Sequence, residues 1–178
     1  MNRLSTRQIA VLAIMTAVVT VVTRAVQIFY PPTGGYLTFA DVAVYFAAFS
    51  FGPIVGLVAG GLGAALGDVL GGFAAFAPLT FCAHGFQGLV AGYICRRANT
   101  LRRMLLGWLL GTLIMAGVYF LGEVFIMGVG FGPAALEAPG NLLQNVAGAL
   151  IGIPLVYAVR RAYPPITQIG FGKTWKDL

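Results

Sequence analysis

The sequence predicts an all-α integral membrane protein, a compact bundle of six transmembrane helices with both termini cytoplasmic. Three observations carry that expectation. Of 178 residues, 59% are apolar and only 9% are charged, with a mean hydropathy of +0.90; a soluble domain needs roughly 25% charged residues to cover its surface. The apolar residues fall into six stretches, most of them close to the roughly 20 residues that a spanning helix needs. The basic residues sit in short clusters at the ends of those stretches. A soluble enzyme, a disordered tail and a disulfide scaffold are excluded. So is a transmembrane barrel, which would alternate polar and apolar residues.

The first helix is expected over residues 8–29. Arginines precede it, as in a signal peptide, but the apolar run is too long for an h-region and lacks a small-residue cleavage site, so it reads as a retained helix. Pro31 and Pro32 end it, and a polar loop from Thr33 to Tyr36 leads into a second helix over 37–51. Gly52 and Pro53 turn the chain into a third over 53–70, since proline is tolerated at a first helical position. A fourth is expected over 78–95, a fifth over 104–127 and a sixth over 140–159, followed by a cytoplasmic tail over 162–178. The whole reads as one membrane domain. Glycines recur at four-residue spacing (Gly56 and Gly60, Gly63 and Gly67, Gly67 and Gly71, Gly88 and Gly92, Gly107 and Gly111, Gly148 and Gly152), the small-xxx-small pattern that lets helix backbones touch. Ala13 and Ala17 repeat it on the first helix.

Orientation follows from the arginines and lysines. Arg3 and Arg7 precede helix one, Arg96, Arg97, Arg102 and Arg103 join helices four and five, and Arg160, Arg161, Lys173 and Lys176 follow helix six. Six crossings put all three segments on one side, which the positive-inside rule makes cytoplasmic. Only Arg24 departs. The net charge of +6 is therefore a topology signal and not a nucleic-acid footprint, which would need a basic face on a soluble body. Cys82 and Cys95 share one apolar run, about 20 Å apart if helical, too far for a disulfide.

The polar residues left near the membrane fall toward the outside: Asp41, Asp68, His84, Gln87, Glu123, Glu137, Asn141, Gln144 and Asn145. The inner halves keep little beyond small and aliphatic residues and Trp108. Intramembrane ionisable groups are costly and usually functional, so a one-sided set describes a pocket open to the exterior, whereas a channel needs polar groups on both sides. Thr80, His84 and Gln87 are spaced i, i+4 and i+7, which places them on one helical face. Tyr119 and Glu123 are i, i+4, as are Asn141 and Asn145, with Gln144 beside them. Together with Asp68, these stripes can supply donors, acceptors and charge to a small polar heterocycle, and Tyr36, Phe73, Phe76 and Tyr119 offer stacking surfaces. The alternative, polar groups bonding only to one another across helices, stays open. Asp41 and Glu137 are expected in interfacial water at helix ends, outside the site. One histidine without a companion at ligand spacing makes a poor metal site, so no metal, cofactor or catalytic residue is expected. Gly172, Lys173 and Thr174 imitate the end of a P-loop, but Thr167 stands where its first glycine belongs; an ATPase would have to come from a partner.

The chain resembles the substrate-binding S component of an energy-coupling factor (ECF) vitamin transporter. The residues behind this are Pro32-Thr-Gly-Gly-Tyr36 followed by Asp41, Phe51-Gly-Pro53 leading into a glycine-rich helix that ends Gly67-Asp68-Val-Leu-Gly-Gly72, and Pro139-Gly-Asn141-Leu-Leu-Gln144-Asn145. Within that family it most resembles the group associated with hydroxymethylpyrimidine. The resemblance implies a prokaryotic cell-membrane protein that binds a water-soluble vitamin or precursor at its outer side, with the loop between helices one and two closing over the ligand. Riboflavin, pyridoxine and benzimidazole ribosides are among the family's other ligands. It implies partners as well, a membrane-embedded coupling (T) subunit met through an Ala-x-x-x-Ala pair, matched by Ala13 and Ala17, and two cytoplasmic ATPases supplied in trans, with delivery by toppling in the bilayer. Carried over to the ligand are Tyr36, Asp68, His84, Gln87, Glu123, Asn141 and Gln144. On the residues alone, two other functions stay open: a membrane enzyme acting on a lipid, and a proton-coupled secondary transporter using Glu123.

Overall fold

The computed structural model describes residues 5–169. Arg3, Lys173, Lys176, the Gly172-Lys173-Thr174 segment and the tail beyond residue 169 lie outside the described residues. The elements run α1 (Thr6–Ala25), β1 (Gln27–Tyr30), β2 (Gly35–Thr38), α2 (Ala40–Phe51), α3 (Pro53–Gly71), α4 (Ala77–Cys95), α5 (Leu101–Phe125), α6 (Phe131–Ala162) and a short 3-10 helix (Pro164–Gln168). Among the described residues there are six α-helices, of which α1, α3, α5 and α6 are long and apolar enough to cross a membrane. The other two depart for identifiable reasons. Thr80, His84 and Gln87 lower the hydropathy of α4. α2 has 12 residues, ten of them buried, and is apolar nearly all round, as a helix enclosed by others must be.

Several boundaries differ from the sequence expectation. Helix one stops at Ala25, and residues 27–38, expected as the end of one helix, a loop and the start of the next, form an antiparallel hairpin pairing Gln27 with Thr38 and Tyr30 with Gly35. Apolar content cannot distinguish a short strand from the last turns of a helix; the β-branched and aromatic residues Ile28, Phe29 and Tyr30 favour the strand. Gly34 closes the turn at φ +76°, a conformation open to glycine. α2 consequently starts at Ala40. α5 begins at Leu101, where the Thr100 hydroxyl accepts from the Arg103 N–H. α6 begins nine residues before the expected start and runs through Pro139 and Pro154.

The two ends of the bundle are chemically distinct. At one, Ile166 of the 3-10 helix packs in a single apolar cluster with Val11 of α1, Phe51 of α2 and Val55 of α3, and the Asn99 amide, between α4 and α5, donates to the Phe49 carbonyl. The start of α1, the α4–α5 connection and the end of α6 therefore share this end, and with them Arg7, Arg96, Arg97, Arg102, Arg103, Arg160 and Arg161. At the other end the hairpin is tied across the bundle, Tyr30 donating to the Leu136 carbonyl at 2.7 Å and Thr33 to the Glu137 carboxylate.

The glycine pairs do what their spacing suggests. Gly56 and Gly60 face Gly88 and the His84 carbonyl on α4, Gly63 and Gly67 face α1, Gly107 and Gly111 face α4, and Gly148 lies against Asp41. Backbones close enough to exclude a Cβ bring polar side chains on different helices into mutual reach. Ala13 and Ala17 differ, for both lie on the exposed face of α1, opposite the buried Val11, Met15 and Val19.

Candidate functional site

The hairpin covers a cavity between the helix ends that lie opposite the arginine-bearing end. Tyr36 and Thr38 come from β2, Thr23 from α1 and Asp68 from the last turn of α3; Phe76 precedes α4, which adds Thr80 and His84; Tyr119 comes from α5, and Glu137, Asn141 and Gln144 from α6. Its free volume is about 20 Å³, room for on the order of one or two waters. A larger occupant requires the hairpin to yield.

The walls are polar and largely committed. Tyr36 donates to Asp68 Oδ1, and burial, reinforced by that neighbouring carboxylate, pushes the phenol well above its ordinary pKa, so it stays protonated and donates. Asp68 Oδ2 is buried without a hydrogen-bond partner among the described residues. Thr80 and Tyr119 share a hydrogen bond of 2.8 Å, and the Tyr36 ring lies 4.5 Å from that of Phe73. His84 meets the Tyr119 ring edge-on.

Beneath the cavity lies a second polar layer centred on Asp41, which is 0% exposed. Its Oδ1 accepts from Gln87 Nε2 and its Oδ2 from Gln144 Nε2 at 2.7 Å, while His84 Nδ1 lies 3.4 Å from Oδ1 and 2.9 Å from Gln87 Oε1. Two acceptors facing Nδ1 put its proton there and leave Nε2 for the cavity. Gln144 also accepts from the Thr38 N–H at 2.6 Å, so the same layer holds the base of the hairpin. Deeper still, Asn145 accepts from Gln87 at 2.7 Å and Tyr45 at 2.7 Å, and its carbonyl accepts from Trp108 Nε1 at 2.9 Å. There the polar network ends in an apolar cluster that includes Phe49, Met104 and Val156.

Eight of the eleven expected residues line the cavity: Tyr36, Asp68, Phe76, Thr80, His84, Tyr119, Asn141 and Gln144. Gln87 and Asn145 belong to the layer below, and Glu123 lies behind Glu137, their carboxyl groups adjacent. Two expectations need correction. Asp41 is not in interfacial water, because β2 and Gln144 close over the start of α2. Glu137 is 3% exposed and lines the cavity, because α6 begins nine residues before the expected start and Glu137 lies inside it. Thr23 and Thr38 join the lining without a signal in the sequence, since nothing in their spacing marks them. Tyr45 had a signal, since it stands four residues after Asp41, the same i, i+4 relation as the other polar stripes.

Buried polar groups gather around a cavity at one end, above a half whose described buried residues are mostly apolar, an arrangement suited to holding a small solute in a membrane protein. The comparisons with known proteins agree. The profile of the family described as "ECF-type riboflavin transporter, S component" matches residues 3–161. An uncharacterized protein in the gap 3′ region of Pyrococcus woesei is 37% identical over 84% of this chain and 99% of its own. The "Thiamine precursor transporter HmpT" of Lactococcus lactis subsp. cremoris is 31% identical over 90% of this chain and 92% of its own. A solved structure described as the S component of a bacterial ECF transporter superposes with a TM-score of 0.70 at 18% identity, over 86% of this chain and 95% of that one, which shows a shared fold. The chain belongs to this family: it is the substrate-binding S component of an ECF-type transporter, a multi-pass membrane subunit and not an enzyme.

Proposed function

We propose that this S component captures a single-ring amino-heterocycle, a pyrimidine of the thiamine-precursor type, in the cavity beneath the hairpin. The observation that carries the reading is the lining of that cavity. Carboxylates of Asp68 and Glu137 face it and none of the described arginines does, so it suits a ligand that donates hydrogen bonds or carries positive charge, and disfavours an anion. An aminopyrimidine presents an amino group to a carboxylate, ring nitrogens to Asn141 or the Thr80 and Tyr119 hydroxyls, and an aromatic face to Tyr36 and Phe76. The narrow cavity favours one ring over the three fused rings of riboflavin, because less of the hairpin must move. The thiamine-precursor name of the Lactococcus relative points the same way.

Asp68 tests this directly. Its unpartnered Oδ2 is the acceptor a ligand amino group would complete, and a hydrogen bond to a charged group contributes about 1.5–3 kcal/mol. Asp68→Asn should weaken hydroxymethylpyrimidine binding by about tenfold or more in calorimetric titration of the purified chain. Unchanged affinity removes Asp68 from the site, and no binding of hydroxymethylpyrimidine by the native chain removes the pyrimidine.

In this reading the chain sits in a prokaryotic plasma membrane and works with a membrane-embedded coupling subunit and two cytoplasmic ATPases supplied in trans. The coupling subunit packs on the exposed face of α1, where Ala13 and Ala17 leave room for a helix to approach closely. An inner half in which none of the described charged residues is buried suits movement of the whole bundle, and toppling is the motion proposed. Ala13→Trp or Ala17→Trp should leave ligand binding within about twofold and reduce cellular uptake to background. Normal uptake by either variant would place the docking face elsewhere.

A further inference from the structure

We propose that the cleft between the basic ends of α4 and α5 binds the phosphate headgroup of an anionic phospholipid. The cleft encloses about 360 Å³ and is lined by Tyr93, Ile94, Arg96 and Arg97 from the end of α4 and by Arg103 and Leu106 from the start of α5. The Arg96 Cζ lies 3.7 Å from the centre of the Tyr93 ring, a cation–π contact that holds one guanidinium against the cleft wall. Arg97 is exposed and Arg103 half-buried. Three guanidinium groups thus share one recess.

Like charges so placed need a counter-charge, and none of the described carboxylates can supply it. Asp41, Asp68, Glu123 and Glu137 all belong to the opposite end of the bundle, where they line or adjoin the polar cavity. Guanidinium forks match phosphate oxygens in pairs. The remaining walls decide which phosphate: Tyr93 and Leu106 are 52% and 49% exposed, on helix faces that continue toward the bilayer interior. A soluble phosphate would use the arginines alone, whereas a phospholipid places its headgroup on them and an acyl chain along Tyr93, Ile94 and Leu106. Basic pockets between helices at the cytoplasmic face are suited to anionic headgroups. The apolar core around Phe49 and Met104 separates this cleft from the solute cavity, so the inference stands apart from the identity of the captured ligand.

Native mass spectrometry of the full chain, titrated with phosphatidylglycerol, phosphatidylcholine or water-soluble glycerol phosphate, tests it. The expected result is retention of phosphatidylglycerol about tenfold above phosphatidylcholine, little displacement by glycerol phosphate, and loss of the preference in Arg97→Gln/Arg103→Gln. Arg7→Gln/Arg102→Gln, which removes the same charge at the same end outside the cleft, should keep the preference. Equal retention of the two lipids by the native chain overturns the site whatever the variants do. Equal loss in both double variants reduces it to diffuse surface charge, and displacement by glycerol phosphate makes it a soluble-anion site; either outcome also overturns it.

Discussion

Asp41→Ala should leave a chain about 3–5 kcal/mol less stable, with its thermal transition lowered by roughly 10 °C or more for a protein of this size. The reason is the number of groups that this one carboxylate satisfies. Gln87 from α4, Gln144 from α6 and His84 from α4 all converge on it, and it is wholly buried. Gln87 Nε2 keeps a second acceptor in Asn145, but Gln144 Nε2 loses its only partner among the described hydrogen bonds. Each buried donor left unpaired costs about 1–3 kcal/mol. Alanine retains the Cβ that packs against Gly148, so that contact survives and the loss is chiefly one of polar pairing, with the space of one carboxylate added to it. Asp41→Asn keeps the shape and one acceptor oxygen and should cost about 1–3 kcal/mol. Differential scanning fluorimetry in detergent reads both. An alanine variant melting within two or three degrees of the native chain would mean that the polar layer does not hold the outer half of the bundle together.

The buried role of Asp41 also marks where sequence reading succeeds and where it stops. Helix content and the gathering of polar residues toward one end follow from local composition, and both were legible. Among the described buried polar side chains, only Ser50 and Asn99 lie near the basic end. Thr80, His84 and Asn141 were legible as neighbours around one cavity because helical periodicity puts them on defined faces. Asp41 and Glu137 were not, because a carboxylate at a helix end is exposed or buried according to what another segment lays over it. For Asp41 that segment is β2, unreadable because its pairing partner β1 continues the apolar run of the first helix through Ile28 and Phe29. For Glu137 it was the start of α6, concealed by Pro139. In each case the missing information is tertiary, and one error leads to the next, since a hairpin mistaken for a loop removes the cover that buries Asp41. Tyr45 is the exception, a residue whose spacing from Asp41 was available and whose membership of the polar network could have been inferred.

A change with no polar chemistry should do as much damage. A Cβ at Gly88 would stand 2.3 Å from the Gly56 carbonyl oxygen, and one at Gly56 would stand 2.4 Å from the Gly88 carbonyl oxygen; neither obstacle is a side chain that can rotate away. α3 and α4 share the most extensive interface in the bundle, so to admit a side chain the helices must separate by about 1 Å along their whole contact. Ordinary overpacking costs about 1–3 kcal/mol; against backbone, Gly88→Val should reach or exceed the top of that range. The separation acts on the site as well, because α3 carries Asp68 and α4 carries Thr80 and His84, with Gly60 against the His84 carbonyl one turn nearer the cavity. Gly88→Val should therefore lose ligand binding together with stability. At Gly117, on α5, an added Cβ would meet nothing within 4 Å, and Gly117→Ala should gain about 0.5–1 kcal/mol from helix propensity alone. The pair is read by melting temperature and by titration of hydroxymethylpyrimidine, with Gly117→Ala keeping native affinity. If Gly88→Val melts and binds as the native chain does, the α3–α4 backbone contact does not set the spacing of the cavity walls.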